Sequence, residues 1–272
     1  MTEIVTAGLL VIGDEILSGR TKDKNIGFIA EYLTNIGIDL KEVRVVADEE
    51  AEIIAALDAL RHRYTYVFTT GGIGPTHDDI TADAVAKAFA VGIDHHPEVV
   101  ARFRERWGEA DLNEARLRMA RIPDGAELIQ SATILAPGFK LGNVVVMAGV
   151  PSIMQAMLDA AAAGLETGVK IIAETIEAGG IPEGRYGDAL SAIAAAHPGV
   201  AIGSYPSFAD GRFRNQIVVR AKEPAKIAAA REAIAALGVA VHTPNEAIGV
   251  EAARLRARHP ISVPDAYCLA TA

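Results

Sequence analysis

Residues 69–79 read TTGGIGPTHDD, a composition that neither helix nor strand favours. Before it, YVFTT (66–70) has the β-branched and aromatic content of a buried strand, and after it ITADAVAKAFA (80–90) reads as a helix. The stretch is therefore a strand-to-helix loop, and in an open α/β sheet such a loop lies at the carboxyl end of a strand, where these folds bind ligands. Gly71, Gly72 and Gly74 allow a sharp turn and bring bare N–H groups close to an anion, while the helix that follows adds the positive end of its dipole. Asp78 and Asp79 would repel a phosphate unless a divalent cation lies between them or one of them caps the helix. A metal-bridged nucleotide reconciles the glycines with the acids. The competing reading is a turn whose glycines serve geometry alone, with Asp79 or Thr81 as an N-cap.

The rest of the chain narrows the choice. Its 272 residues can hold one large domain, or one plus a smaller second. An apolar fraction of 50% with 22% charged residues is that of a soluble globular protein. The net charge of −9 argues against nucleic acid as a partner, because such a binder needs a basic face to displace counterions. It leaves room for a small anionic ligand held by backbone amides and metal. A single cysteine, Cys268, excludes an internal disulfide and a Cys-based metal cage, which suits a reducing compartment. The first residues reach Glu3 without a basic segment, and no apolar run approaches the roughly 20 residues of a membrane helix, so a cytoplasmic protein with no membrane partner is expected.

Through residue 165 the pattern alternates strand and helix, as a mostly parallel sheet covered on both faces requires. IVTAGLLVI (4–12) is a buried strand, and GDEILSGRTKDK (13–24) reads as a loop into a helix from Asn25 that Gly37 ends. DLKEVRVVA (39–47) is the next strand. DEEAEIIAALDALRHR (48–63) is a helix with acids in its first turn and bases in its last, as the dipole favours. Residues 80–121 read as mainly helical. RFRERWGEADLNEARLRMAR (102–121) suggests an amphipathic pair, partly a lid and partly solvated surface. ELIQSATILAPGFKLGN (127–143) reads as two short strands with a turn, VVVMAGV (144–150) as a buried strand, and PSIMQAMLDAAAAG (151–164) as a closing helix. Residues 168–245 form a second, small α+β domain in which Asp210-Gly211 reads as a hairpin turn. Residues 246–272 are a tail of uncertain origin; DAYCLATA around Asp265 resembles the closing segment of a PIN-type nuclease, yet one aspartate cannot build a metal cluster.

Taken together, GDEILSGR (13–20), TTGGIGPTHDD (69–79), APGF (136–139), GVPS (149–152) and GSYP (203–206) resemble the N-terminal domain of the competence/damage-inducible protein A (CinA) family, part of the wider MoaB/Mog-type molybdopterin-binding fold. The resemblance covers about residues 4 to 240 and implies a three-layer α/β/α sandwich with a cleft formed by the loops after the strands. It also implies one of two ligands, a dinucleotide such as ADP-ribose or FAD cleaved with metal, or a pterin bound or adenylylated. Motif by motif it assigns Gly13, Asp14 and Glu15 to the first loop, Asp48 to an acid after the next strand, and Gly71, Gly72, Gly74, Pro75 and Asp79 to the glycine-rich loop, with Thr76 beside them. The chain departs from the family pattern at Ala148, in place of a proline, and at Ile153, in place of a glutamate. Ser131 and Ile134 stand where an asparagine and a glycine are expected. These departures keep open a homologue that binds without turnover, and the fold's tendency to self-associate implies a homo-oligomer.

Cleaving a pyrophosphate needs charge neutralised on its oxygens and a water aimed in line, so carboxylates holding magnesium, manganese or cobalt are the expected tools. Asp48 and Asp79 are the expected metal or water-orienting residues, with Asp78 second to them. Asp48 could equally cap the helix it precedes, and Glu15 could pair with Arg20 or Lys22 in its own loop. Lys140 is a candidate phosphate-facing cation, or else a surface lysine.

Overall fold

The structure is a computed structural model that describes residues 4–130, 134–209 and 212–238. The chain divides into two compact units between Lys170 and Ile171. Expectations about the Asp210-Gly211 turn, Ser131 and the segment containing Asp265 and Cys268 fall outside the described residues.

In the first unit, β1 (Thr6–Ile12) leads into a short helix α1 (Asp14–Leu17), then α2 (Asn25–Asn35), β2 (Asp39–Val46), α3 (Glu50–Arg61), β3 (Tyr66–Thr70) and α4 (Thr81–Phe89). β4 (Ile93–His95), α5 (Pro97–Trp107), α6 (Glu114–Arg118) and β5 (Arg121–Pro123) follow. The unit closes with β6 (Glu127–Ile129), β7 (Gly138–Leu141), β8 (Val144–Met147) and α7 (Pro151–Ala162). Strand order in the main sheet is β2-β1-β3-β8-β7-β6. β2, β1, β3 and β8 run parallel, whereas β7 at one edge runs antiparallel to β8 and pairs antiparallel with the outermost strand β6. The sheet is mostly parallel, as the strand and helix alternation requires.

Alternation along β1 makes the three layers. Ala7, Leu9 and Val11 pack with Ile29 and Leu33 of α2 and Met154, Met157 and Leu158 of α7. Leu10 and Ile12 point the other way, onto Ile53, Leu57 and Leu60 of α3 and Val85 of α4. Because successive side chains of a strand face opposite sides, each central strand must be buried on both faces to feed both cores. β3 is: all five residues are buried, Thr69 and Thr70 included, with Phe68 in one core and Val67 in the other.

Two sequence expectations are corrected here. DEIL of the presumed loop forms α1, whose acids sit in its first turn where the helix dipole favours them. The region read as mainly helical also contains the two-stranded antiparallel pair of β4 and β5. Three-residue strands with exposed, charged members carry no alternation long enough to read.

The second unit contains β9 (Ile172–Gly179), α8 (Gly187–Ala196), β10 (Ala201–Ala209), β11 (Arg212–Ala221) and α9 (Pro224–Ala235). Its antiparallel sheet has the order β10-β11-β9. Its core joins Ile176, Ile217 and Val219 of the sheet to Leu190 of α8 and Ile227 and Ile234 of α9.

Candidate functional site

Strand order changes direction between β1 and β3: the chain steps from β1 outward to β2, then returns to place β3 on the opposite side of β1. At such a switch point the loops leave in opposite directions and open a crevice above the carboxyl ends of the strands. The first unit has a cleft of about 680 Å³ there, lined by the residues that follow β1, β2, β3 and β8.

Gly13 extends β1 by donating its N–H to Val46 O at 3.1 Å, which delivers Asp14 and Glu15 to the rim. After β3 the chain must cross the end of β1 at close range. Gly71 has φ of 101°, and a Cβ on it would lie 2.1 Å from Ile12 O. Gly72, at φ of 66°, would place a Cβ 2.2 Å from Thr81 Oγ1. Only glycine fits either position. The loop is then pinned to α4, since Thr81 donates its N–H to Gly72 O at 3.0 Å and its hydroxyl to Gly71 O at 3.0 Å. Among the described residues no backbone carbonyl accepts from the N–H groups of Gly72, Ile73 or Gly74. Those donors are left to a ligand or solvent.

Four carboxylates, Glu15, Asp48, Asp78 and Asp79, line the same cleft, together with Gly13, Gly71, Gly72, Gly74 and Pro75. Asp14 is exposed on the adjoining rim, and Thr76 beside the cleft bonds Asp79. Asp48 does not cap α3, whose N-cap is Glu49 with no side-chain bond. Its Oδ2 instead accepts the N–H of Asp14 at 2.9 Å, 34 residues away, and so holds the start of α1. Asp79 does not cap α4 either, because that helix begins after Ile80 without a side-chain cap. Asp79 Oδ2 accepts from Thr76 N at 2.8 Å and from Thr76 Oγ1 at 2.6 Å, folding the loop back on itself. Glu15 forms no ion pair with Arg20 or Lys22 among the described residues. His77 is exposed, 3.9 Å from Asp78.

Lys140 is corrected: it lies on β7, 3.7 Å from Glu127 of the neighbouring β6, and does not line the cleft. Its strand is antiparallel to β8, so APGF enters the sheet at the cleft end, where Ala136 lines the wall, and the strand then runs away from the cleft and carries Lys140 to the level of Val145. Among the described residues no lysine, arginine or histidine lines the cleft.

Burial is the main reason the Asp48 carboxyl is held above its ordinary range, and the charges of Asp14, Glu15 and Asp78 add to it, against the Asp14 N–H bond that lowers it. The folded state therefore favours the protonated form. Its contribution to stability is fully present below the ordinary aspartate range and is lost as pH rises through the raised value. Asp48→Asn keeps an oxygen for the Asp14 N–H while removing the charge. It is expected to melt at a higher temperature than the parent at neutral pH, with the difference closing as the pH falls to where Asp48 itself is protonated. A lower melting temperature for Asp48→Asn at neutral pH would contradict this.

Among the described residues no three acids, histidines or cysteines converge as a ready-made metal cage. The donor set fits a divalent cation in another way, in which one or two carboxylates are joined by phosphate oxygens of the ligand and by waters, the manner in which magnesium is usually held.

The opposite wall is apolar and comes from elsewhere. Trp107 at the end of α5, Met119 after α6, and Ile134, Leu135 and Ala136 before β7 line it. Ile134 is buried at 5%, whereas Ile153 at 39% and Val150 at 54% are exposed cleft residues. Ala148 lines the cleft too, so the departures from the family pattern that the structure describes all fall in it. Sequence reading saw the glycines and acids, took the segment containing Trp107 as partly a lid and singled out Ile134, Ala148 and Ile153, but did not join them with Met119 and Leu135 into one apolar wall. The apolar side chains of residues 107–119 are spaced like the core face of a helix pair, and nothing local marks which of them meet a cleft.

Comparison with known proteins bears on both units. Residues 8–166 match the family described as "probable molybdopterin binding domain", and residues 173–241 match the one described as "FAD synthase, middle domain". A protein of Aeropyrum pernix is 34% identical over 217 residues, a span of 76% of this chain and 81% of that protein. A "probable FAD synthase" of Caenorhabditis elegans is 30% identical over 245 residues, and the match spans 47% of its length. Among solved structures, that of the protein CinA of Thermoplasma acidophilum, described as of unknown function, is 34% identical with a TM-score of 0.55, covering 58% of this chain and 96% of that one. Among the described residues no helix is long and apolar enough to cross a membrane.

Proposed function

The chain belongs to the MoaB/Mog-type molybdopterin-binding domain family, and from that premise we propose that its cleft is the site of a metal-dependent pyrophosphatase that splits ADP-ribose, FAD or a related dinucleotide into two monophosphates. One observation carries the proposal: among the described residues, backbone N–H groups on Gly72, Ile73 and Gly74 that no backbone carbonyl engages share a cleft with Glu15, Asp48, Asp78 and Asp79, and no basic side chain lines it. The amides suit phosphate oxygens. The carboxylates alone would repel them, so the two halves of the site are compatible only through a cation.

When bound, a divalent cation would neutralise charge on the phosphate oxygens and lower the pKa of a bound water. Asp48 and Asp79 are the residues proposed to hold it, Asp79 through the oxygen that Thr76 leaves free. Asp48, held at the rim by the Asp14 N–H on its Oδ2, is also placed to orient a water in the cleft. The match of residues 173–241 to the FAD synthase middle domain, and the likeness to a FAD synthase, support a nucleotide as ligand.

The family's description favours a second reading, in which the ligand is a pterin and the acidic rim accepts from its amino and ring N–H groups. The two readings part on one assay. Release of AMP from ADP-ribose or FAD with magnesium, manganese or cobalt alone, stopped by a chelator, is the expected result. Turnover only with ATP and a pterin would favour the second reading, and binding without any turnover would make the chain a non-catalytic homologue.

A further inference from the structure

The apolar wall of the cleft has no part in handling phosphate or metal, and its composition points to the rest of the ligand. We infer that it is a stacking subsite for a planar heteroaromatic ring, with Trp107 as the platform. The inference rests on the reading of this cleft as a nucleotide or pterin site.

Trp107 closes α5, one turn beyond the fully buried Phe103, and Gly108 ends the helix immediately after it. The indole is held from its own side before any ligand arrives. Phe103 packs against it at 5.0 Å between ring centroids, inclined by 54°. The Arg116 guanidinium lies over the ring at 4.5 Å. Arg116 is fixed in turn, since its backbone N–H donates to Asn113 Oδ1 at 3.0 Å, the cap of α6, and its guanidinium donates to Asp111 O. A platform set in advance loses little freedom on binding, which is what makes an aromatic anchor effective.

The indole is only partly buried by these neighbours, and the remainder belongs to the cleft wall with Met119 and Leu135. Val150 and Ile153, both exposed, line the same space. Large apolar side chains left open in a concave site call for an apolar, flat partner rather than for water. Adenine, a flavin and a pterin all meet that description and would place their phosphates toward the glycines and acids.

Trp107 is the one tryptophan of the chain, so its emission reports on this wall alone. ADP-ribose with magnesium is expected to quench it saturably, whereas inorganic pyrophosphate with magnesium leaves it unchanged. Trp107→Ala is expected to weaken ADP-ribose binding by about 10-fold, as loss of one base–aromatic stack does, with Trp107→Phe much closer to the parent and pyrophosphate binding unaltered. AMP release with unchanged emission would overturn the stacking subsite while leaving the pyrophosphatase reading intact. Equal loss of ADP-ribose and pyrophosphate binding in Trp107→Ala would reduce the tryptophan to a structural brace and overturn it too. If no AMP forms, quenching by ADP-ribose, FAD or a pterin still carries the inference, and absence of quenching by all three refutes it.

Discussion

Asp79→Asn is expected to lower turnover of ADP-ribose by about 100-fold or more, beyond what loss of a merely supporting partner costs, while leaving the melting temperature close to that of the parent. The reason lies in the two jobs of this carboxylate. One oxygen closes the glycine-rich loop by accepting from the N–H and hydroxyl of Thr76. An amide oxygen in the same place can accept both bonds, so the loop keeps its shape. What the substitution removes is the negative charge, and with it the proposed grip on a cation. Asp79→Ala would confuse these effects by breaking the loop as well. Should Asp79→Asn retain activity within a few-fold of the parent, the aspartate would be a loop-closing residue and the cation would have to be held by Asp48 and Glu15.

Gly71→Ala is expected to destabilise the fold by about 3 kcal/mol or more, read as a large fall in melting temperature. Two costs combine. At φ of 101° any side chain is strained, and a Cβ would sit 2.1 Å from Ile12 O, which is backbone at the end of the neighbouring strand and cannot swing aside. Relief requires β1 and β3 to part at the mouth of the cleft. Gly19→Ala isolates the first cost, because Gly19 also has positive φ, 73°, but no atom lies within 4 Å of its Cβ position. Gly19→Ala should cost about 1 kcal/mol. Equal losses in the two variants would mean that the approach of Gly71 to Ile12 is relaxed and does not set the loop.

The central sheet and its layers were legible in the sequence because β1, β3 and β8 are short runs rich in apolar and β-branched residues with glycine nearby at one end, and α2, α3 and α7 carry apolar residues at helical spacing. The glycine-rich loop announced itself by composition. What could not be read was long-range. α1 is four residues long, and its first N–H is capped by Asp48 from the end of another strand, 34 residues away. Asp48 and Asp79 both stand where a helix cap would, yet each carboxylate bonds elsewhere, a choice made by tertiary approach rather than by local pattern. Lys140 looked poised for phosphate because it follows APGF, but strand direction sets where it lies, and β7 runs antiparallel. The apolar wall was legible only in pieces for a similar reason. Trp107 and Met119 belong to two separate short elements whose meeting at the cleft depends on the packing of Phe103, Val99 and Ala120 beneath them.

The measurement that tests the central claim most directly is AMP release from ADP-ribose by the folded parent protein and by Asp79→Asn, with magnesium, manganese and cobalt each supplied and then withdrawn by a chelator. AMP that appears with metal, stops with the chelator and is nearly absent from Asp79→Asn is the predicted result. No AMP from the parent with any of the three metals, or AMP that the chelator leaves untouched, would contradict it.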